Sequence, residues 1–100
     1  MLKSELMILK LIEECAEVQQ RACKMMQFGP DESQSTAPRN LGGENAPEGT
    51  NLERLQHEFI DVCAVGTLLG LRYPTHEEVR NKLLKIERYM EYLLECGRLR

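Results

Sequence analysis

The stretch Leu11-Ile12-Glu13-Glu14-Cys15-Ala16-Glu17-Val18 carries acidic residues inside an otherwise apolar run, and His57-Glu58-Phe59-Ile60-Asp61-Val62 does the same later in the chain. Side chains three residues apart share one face of a helix, so Glu14 and Glu17 point the same way, as do the two acids of the second stretch. Two helices packed through these faces would bring four carboxylates together, and like charges at such range repel unless a cation lies among them. The stretches therefore predict an all-α fold with a site for Mg²⁺ or Mn²⁺.

Helix start and stop signals along the chain predict a helical bundle of three main helices. The first helix has Ser4 as its N-cap and runs to about Phe28, where Gly29 and Pro30 stop it. Two capping boxes predict the starts of the other helices: Thr50-Asn51-Leu52-Glu53 and Thr75-His76-Glu77-Glu78. The second helix is expected to end near Gly70, and the third before Gly97.

Each predicted helix carries an apolar stripe with the 3.6-residue period. The first stripe comprises Ile8, Leu11, Cys15, Val18, Ala22 and Met25. A second row runs beside it: Glu14, Glu17, Arg21, Lys24 and Phe28. The other helices have the stripes Leu55, Phe59, Val62 and Leu69, and Val79, Leu83, Ile86, Met90 and Leu93. These stripes exceed what one small three-helix unit can cover, so we expect oligomerisation to complete the bundle.

Residues 29–50 differ from the rest of the chain, because they are rich in Gly, Pro and polar residues and show no periodicity. Leu41 is their only large apolar side chain before the second helix begins. Such a long segment is typical of a flexible loop insertion or a functional lid. Residues 1–100 are expected to form a single domain around this insertion.

Composition argues against several classes of protein. The net charge of −3 disfavours a nucleic-acid polymer as partner, because such partners attract clustered positive charge. No apolar run approaches the roughly 18 residues of a membrane span, and the first residues lack a signal-peptide pattern. The four cysteines show no C-x-x-C spacing and are expected to be reduced thiols of a cytoplasmic protein.

The order E-E-x-x-E followed by E-x-x-D resembles the all-α nucleoside triphosphate pyrophosphohydrolases of the MazG-like superfamily. The two quoted stretches are similar to small phage or bacterial members, and the closing run Lys85-Ile86-Glu87-Arg88-Tyr89-Met90 adds to the match. The 40 residues between Glu17 and Glu58 exceed the family's usual spacing and require an inserted loop. The resemblance implies an enzyme of the bacterial cytoplasm, phage-encoded or bacterial. It would use Mg²⁺, with Mn²⁺ as an alternative, to convert (d)NTP and water to (d)NMP and pyrophosphate, as a homodimer or homotetramer.

The resemblance also implies roles for individual residues. The metal ligands would be Glu14, Glu17, Glu58 and Asp61. Glu13 and Glu17 are the candidate catalytic residues: Glu13 would lie outside the ligands or position water, and Glu17 is a candidate base. The chain offers these candidates for binding phosphate: Arg21, Lys24, Lys82, Lys85 and Arg88. Candidates for contact with the base or sugar are Phe28, Asn81 and Tyr89.

Two other functions remain open at this point. A phosphoribosyl-ATP pyrophosphohydrolase of histidine synthesis resembles this family in fold and acids, although the long insertion and the closing Lys85–Met90 run disfavour it. A non-catalytic helical interaction or regulatory module is the alternative from another class. Each acidic motif on its own would most simply be a solvated helix face, with ion pairs such as Glu17 to Arg21. Two motifs at matching offsets favour the metal site instead.

Overall fold

Three α-helices account for most of the computed structural model, which describes residues 1–33 and 49–100. Helix α1 spans Lys3–Phe28, α2 spans Asn51–Leu68 and α3 spans His76–Glu95. No strand occurs within these two ranges, so the all-α prediction is confirmed. The expected mobility of the loop concerns residues 34–48 above all, and these lie outside the described part of the chain.

The start of α1 differs from the prediction that Ser4 is its N-cap. Leu2 occupies the cap position in an extended conformation, and Ser4 already lies in the first helical turn. The Glu5 carboxylate accepts a hydrogen bond from the Leu2 backbone N–H at 3.0 Å. A carboxylate in the first turn thus satisfies a backbone donor and suits the helix dipole, which lets the helix begin two residues earlier than a cap at Ser4 would require.

The starts of α2 and α3 are confirmed as capping boxes. The Thr50 hydroxyl accepts from the Glu53 N–H at 3.2 Å, and the Thr75 hydroxyl accepts from the Glu78 N–H at 3.1 Å. Arg72, in the connection before α3, donates both arms of its guanidinium to the Glu78 carboxylate at 2.6 and 2.7 Å. These bonds lower the pKa of Glu78 to about 2, the Arg72 contact being the largest cause.

The end of α2 is set by Gly70, whose φ of 82° suits a residue without a Cβ. The Gly70 N–H donates to the Thr67 carbonyl at 3.0 Å, and the Leu71 N–H donates to the Gly66 carbonyl at 2.9 Å. This is the Schellman pattern of bonds, and Gly97 repeats it after α3. The predicted helix ends are therefore confirmed within two residues.

Helices α1 and α2 pack as an antiparallel pair, because the segment that follows α1 is fixed to the beginning of α2. The Asn51 N–H donates to the Glu32 carbonyl at 2.9 Å, and the Leu52 N–H donates to the Pro30 carbonyl at 3.1 Å. The Asn51 side chain, 0% exposed, donates through Nδ2 to the Gly29 carbonyl at 2.9 Å and to Glu32 Oε2 at 3.0 Å. Residues 29–33 are thus anchored to the start of α2.

The contact face between α1 and α2 is more polar than the apolar stripes predicted. On α1 the half-buried residues are Met7, Leu11, Glu14, Val18, Arg21, Lys24 and Met25. On α2 and its C-cap Leu69 the buried or half-buried residues are Asn51, Arg54, Leu55, Glu58, Val62, Cys63, Val65, Gly66 and Leu69 itself. Ile8, Cys15 and Ala22 were expected in the core of α1 but are exposed, and Phe59 on α2 is 56% exposed. Glu14 and Glu58 therefore lie within the contact face, as packing through the acidic faces predicted, and the charged residues Arg21, Lys24 and Arg54 lie there as well.

No apolar side chain of the described residues is fully buried; the buried side chains are those of Asn51 and Arg54. Helix α3 has no extensive contact with α1 or α2. Much of its apolar stripe is accordingly exposed: Val79 43%, Leu83 51%, Ile86 44% and Met90 42%. Completion of this fold by further copies stays a prediction. None of the described helices has the length and apolar character that a membrane crossing needs.

Candidate metal centre

Four carboxylates lie close together at the middle of the contact between α1 and α2. Glu14, Glu17, Glu58 and Asp61 each offer one oxygen, and these four oxygens lie within 4.8 Å of one another. Each helix contributes two acids three residues apart, which places both on one face. The structure therefore brings together the four residues that the sequence spacing selected as candidate ligands.

The cluster has a shielded side and an open side. Glu14 and Glu58 are half-buried, and the Oε2 atom of each is shielded from solvent with no hydrogen-bond partner among the described residues. Glu17 and Asp61 are exposed. Buried carboxylate oxygens without a donor are energetically costly. The two shielded oxygens therefore need a donor or a cation that the described residues do not supply.

Electrostatics in the cluster favour protonation when no cation is present. Burial raises the pKa of the Glu14 carboxyl, and its neighbours Glu17 and Asp61 raise it further. Burial likewise raises the pKa of Glu58, again with contributions from Glu17 and Asp61. Accumulated negative charge is the common cause after burial, so a bound cation would reverse the tendency.

The donor set matches a hard divalent cation. All four side chains of the cluster are carboxylates, and no histidine or cysteine of the described residues belongs to it. Oxygen-only ligands suit Mg²⁺, Mn²⁺ or Ca²⁺, whereas Zn²⁺ sites usually include imidazole or thiolate. The residues present therefore fit the ion that the sequence predicted.

Glu13, a predicted catalytic residue, lies outside the cluster of four acids. Its carboxylate accepts a hydrogen bond from Lys10 Nζ at 3.0 Å, and both side chains are about half exposed. Lys10 also lowers the pKa of Glu14. Sequence reasoning missed Lys10 as a neighbour of the site, although its spacing of four residues before Glu14 is a usable signal.

Two arginines lie at the other end of the cluster. Arg21, predicted to bind phosphate, is half-buried and lowers the pKa of Glu58. Arg54 was not predicted; it is only 4% exposed. Burial lowers the pKa of Arg54, the positive charge of Arg21 lowers it further, and Glu32 raises it. The signal for Arg54 is its place four residues before Glu58 on the same helix.

Lys24 and Phe28, predicted for phosphate and base, contact each other at the end of α1. Lys24 Nζ lies 5.7 Å from the centre of the Phe28 ring, a distance typical of a cation–π contact. Phe28 is 54% exposed. The structure thus places these two side chains together, and their roles toward a ligand stay predictions.

The remaining predicted ligand contacts all lie on α3: Asn81, Lys82, Lys85, Arg88 and Tyr89. All five are exposed, and α3 does not pack along the α1–α2 pair that carries the acids. Asn81 lines a shallow depression at the start of α3. One chain alone does not bring these residues beside the acids, so a role there requires a neighbouring copy.

Comparison of the chain with models of protein families, with curated proteins and with solved structures gives no match. The spacing of the acidic motifs and the geometry of the four carboxylates are therefore the features that indicate a function.

Proposed function

We propose that this chain is a Mg²⁺-dependent nucleoside triphosphate pyrophosphohydrolase of the MazG-like type, which converts (d)NTP and water to (d)NMP and pyrophosphate. The observation that supports the proposal most strongly is the convergence of Glu14, Glu17, Glu58 and Asp61 within 4.8 Å. A second support is the pair of shielded Oε2 atoms that lack a donor among the described residues. A helical scaffold without a ligand gains nothing from four adjacent carboxylates, because they repel one another.

The residues divide into ligands and a candidate base. Glu14 and Glu58 would hold the ion from the shielded side, and Glu17 and Asp61 from the side that faces solvent. When bound, Mg²⁺ would neutralise part of the triphosphate charge and lower the pKa of a coordinated water. Glu17 is the candidate to accept a proton from the attacking water, because it is exposed and borders both Glu14 and Glu58.

The test is a pyrophosphate-release assay with a panel of ribo- and deoxyribonucleoside triphosphates in Mg²⁺ and in EDTA. We expect activity in Mg²⁺ alone, and loss of most turnover in Glu58→Gln and Asp61→Asn, which remove charge without creating a cavity. Glu91→Gln, an exposed change on α3, is the matched control. Far-UV circular dichroism confirms that the variants keep their helices. Full activity in EDTA, or in both site variants, would contradict the proposal.

The same panel separates the alternatives. Phosphoribosyl-ATP is included as a substrate, and a strong preference for it over every nucleoside triphosphate would assign the chain to histidine synthesis. A non-catalytic module would release no pyrophosphate from any compound in the panel, whether or not it binds metal.

A further inference from the structure

Helices α1 and α2 contact each other through two rows of buried or half-buried residues whose spacing alternates between four and three. On α1 the row is Met7, Leu11, Glu14, Val18, Arg21 and Met25. The row on α2 and its C-cap is Asn51, Leu55, Glu58, Val62, Val65 and Leu69. This is the seven-residue pattern of a coiled coil, in which the positions on either flank of each row also recur every seven residues. The helix pair therefore has two distinct flanks.

One flank of the pair is charged. At seven-residue spacing it carries Lys10, Glu17 and Lys24 on α1, with Arg54 and Asp61 on α2. Glu17 and Asp61 are the exposed members of the acidic cluster, so this flank is the open side of the candidate metal centre.

The opposite flank, which we call the apolar edge, has no charged residue at the corresponding positions: Ile8, Cys15 and Ala22 on α1, and Leu52, Phe59 and Gly66 on α2. Ile8 is 51% exposed, Leu52 53% and Phe59 56%. Leu71 extends the edge, because its Cδ1 would lie 3.8 Å from a Cβ at Gly66, and it is itself 59% exposed. A contiguous apolar surface of this kind marks an interaction site.

The sizes of the side chains make the apolar edge complementary to itself. All four acids lie within 4.8 Å, so the two motifs that carry them lie at the same level of the antiparallel pair. Cys15 therefore lies level with Phe59, and one heptad further on Ala22 lies level with Leu52. At both levels the small residue is on α1 and the large one on α2. A two-fold axis parallel to the helices brings α1 of one copy against α2 of another, so each large side chain meets a small one, as an isologous interface requires.

The chain also has enough accessible surface for such an interface. Its surface is 8720 Å², whereas a compact protein of 11.5 kDa has about 5,800 Å². The excess is well above the roughly 800 Å² that each partner buries in a standard interface. A contact through the apolar edge and a further contact through α3 are both compatible with this excess.

We propose that the apolar edge binds a second copy of this chain, forming a four-helix bundle in which α1 of each copy packs against α2 of the other. The bundle supplies the apolar core that one chain lacks, since no apolar side chain of the described residues is fully buried. The charged flank of each pair faces away from the interface. Neither a metal ion nor a nucleotide takes part in the contact, so the proposal is independent of the proposed function.

An exchange of charges tests both the surface and its orientation. Ala22→Glu and Leu52→Lys each place a charge in the apolar edge, so each variant alone should halve the mass that light scattering reports during size exclusion. Mixed in equal amounts, the two variants should recover the mass of the unaltered chain. In the mixed dimer the two introduced charges meet at one contact, and the other contact keeps Ala22 and Leu52.

Ala16→Glu and Ile60→Lys are the matched controls, because they place the same charges at exposed positions away from both flanks and should leave the mass unchanged. Circular dichroism checks that all four variants keep their helices. Unchanged mass in both edge variants, the result expected if a different protein covers the edge, would overturn the interface. Loss of mass without recovery in the mixture would overturn the packing of α1 against α2, and would favour α3 of a second copy as the occupant.

Cross-linking gives a second test that introduces no charge into the edge. Ala22→Cys and Leu52→Cys are mixed and oxidised, and the covalent dimer is measured on a non-reducing gel. The mixture should yield more covalent dimer than either variant alone or the unaltered chain, because only the mixture brings the two new thiols together. Equal yields in all four samples would refute the proposed pairing.

Discussion

Glu17 of α1 and Glu58 of α2 lie opposite each other across the helix pair, with one carboxylate oxygen of each within 4.8 Å of the other. Two carboxyl groups in such contact need either a shared proton or a cation between them. Glu14 and Glu58 have raised pKa values, so the metal-free folded protein takes up protons more readily than the unfolded chain. Its stability should therefore respond to charge removal, to metal and to pH in defined directions.

Removing one acid should stabilise the metal-free protein. Glu58→Gln relieves repulsion at nearly constant volume, so in EDTA at pH 7 its Tm should rise by roughly 2–8 °C, the shift that about 0.5–1 kcal/mol produces in a domain of this length. Mg²⁺ should raise the Tm of the unaltered chain and leave the variant almost unchanged. Differential scanning calorimetry measures both effects, with Glu91→Gln as control. A lower Tm in Glu58→Gln would contradict the repulsive cluster.

The pH dependence of the metal-free protein follows from the raised pKa values of Glu14 and Glu58. A folded-state pKa above the unfolded value means that the folded protein binds more protons, so its stability rises as pH falls. The gain begins as pH falls from neutrality through the raised values and is complete below the ordinary value of 4.5. Urea unfolding between pH 7 and pH 4 should show this gain relative to a Glu14→Gln, Glu58→Gln double variant. Parallel curves for the two proteins would show that these carboxyls do not titrate differently on folding.

The buried side chain of Asn51 should stabilise the fold through its bonds to Gly29 and Glu32. Asn51→Ala leaves a carbonyl and a carboxylate without these bonds, at a cost of about 1–3 kcal/mol. Chemical denaturation followed by circular dichroism gives this value. Asn81→Ala, on the exposed surface of α3, should change stability by less than about 0.5 kcal/mol. Equal effects at the two positions would show that the Asn51 hydrogen bonds do not stabilise the junction between the helices.

The chain should associate, because it has large exposed apolar side chains and no fully buried one among the described residues. Light scattering during size exclusion should report at least twice the 11.5 kDa chain mass at micromolar concentration. Leu83→Glu places a charge in the exposed stripe of α3 and should reduce the mass or unfold the chain, whereas Glu87→Gln should do neither. An active species of 11.5 kDa would show that the apolar face of α3 is not an interface.

Mixed oligomers can test whether α3 serves the acids of another copy. Lys82→Ala and Glu58→Gln should each be weakly active alone, the first mainly through a higher KM for triphosphate. Mixed after reversible unfolding, they should recover about a quarter of the original turnover in a two-fold dimer, because half of the dimers have one intact site. Lys3→Ala is the surface control for Lys82→Ala. If the mixture gains nothing, Lys82 does not act across an interface, and full activity of Lys82→Ala alone would place the phosphate contacts elsewhere.

Local signals in the sequence were sufficient for most of the fold. Glycine at positive φ and threonine–glutamate capping boxes act through bonds between residues only a few positions apart, so Gly70, Thr50 and Thr75 could be interpreted without tertiary information. The prediction that Ser4 caps α1 was wrong, because another local group, the Glu5 carboxylate, accepts a hydrogen bond from the backbone at the same end of the helix. The four acids could be predicted for a related reason. The spacing of three residues within each motif places both of its acids on one helix face, and the only further requirement is that the two helices pack through these faces.

The polar contact face could be predicted only in part. The two acidic motifs predicted carboxylates between packed helices, but periodicity analysis assigns the other charged residues to solvent. Arg54 reverses that rule, and charged side chains face it across the helix pair. Asn51 was missed for another reason. Its partners Gly29 and Glu32 are 22 and 19 residues away in sequence, and nothing local indicates their approach.

The hydrogen bonds that join residues 29–33 to the start of α2 also have a consequence for protein engineering. They hold the chain on both sides of residues 34–48 by contacts that do not involve those residues. Closure entropy grows slowly with loop length, so replacing residues 34–48 with a sequence of another length should leave the α1–α2 register unaltered. A fluorescent label, an epitope or a small reporter domain could therefore be inserted there without changing the register of the helices that carry the acids. Relatives of different length would be expected to vary first at this point.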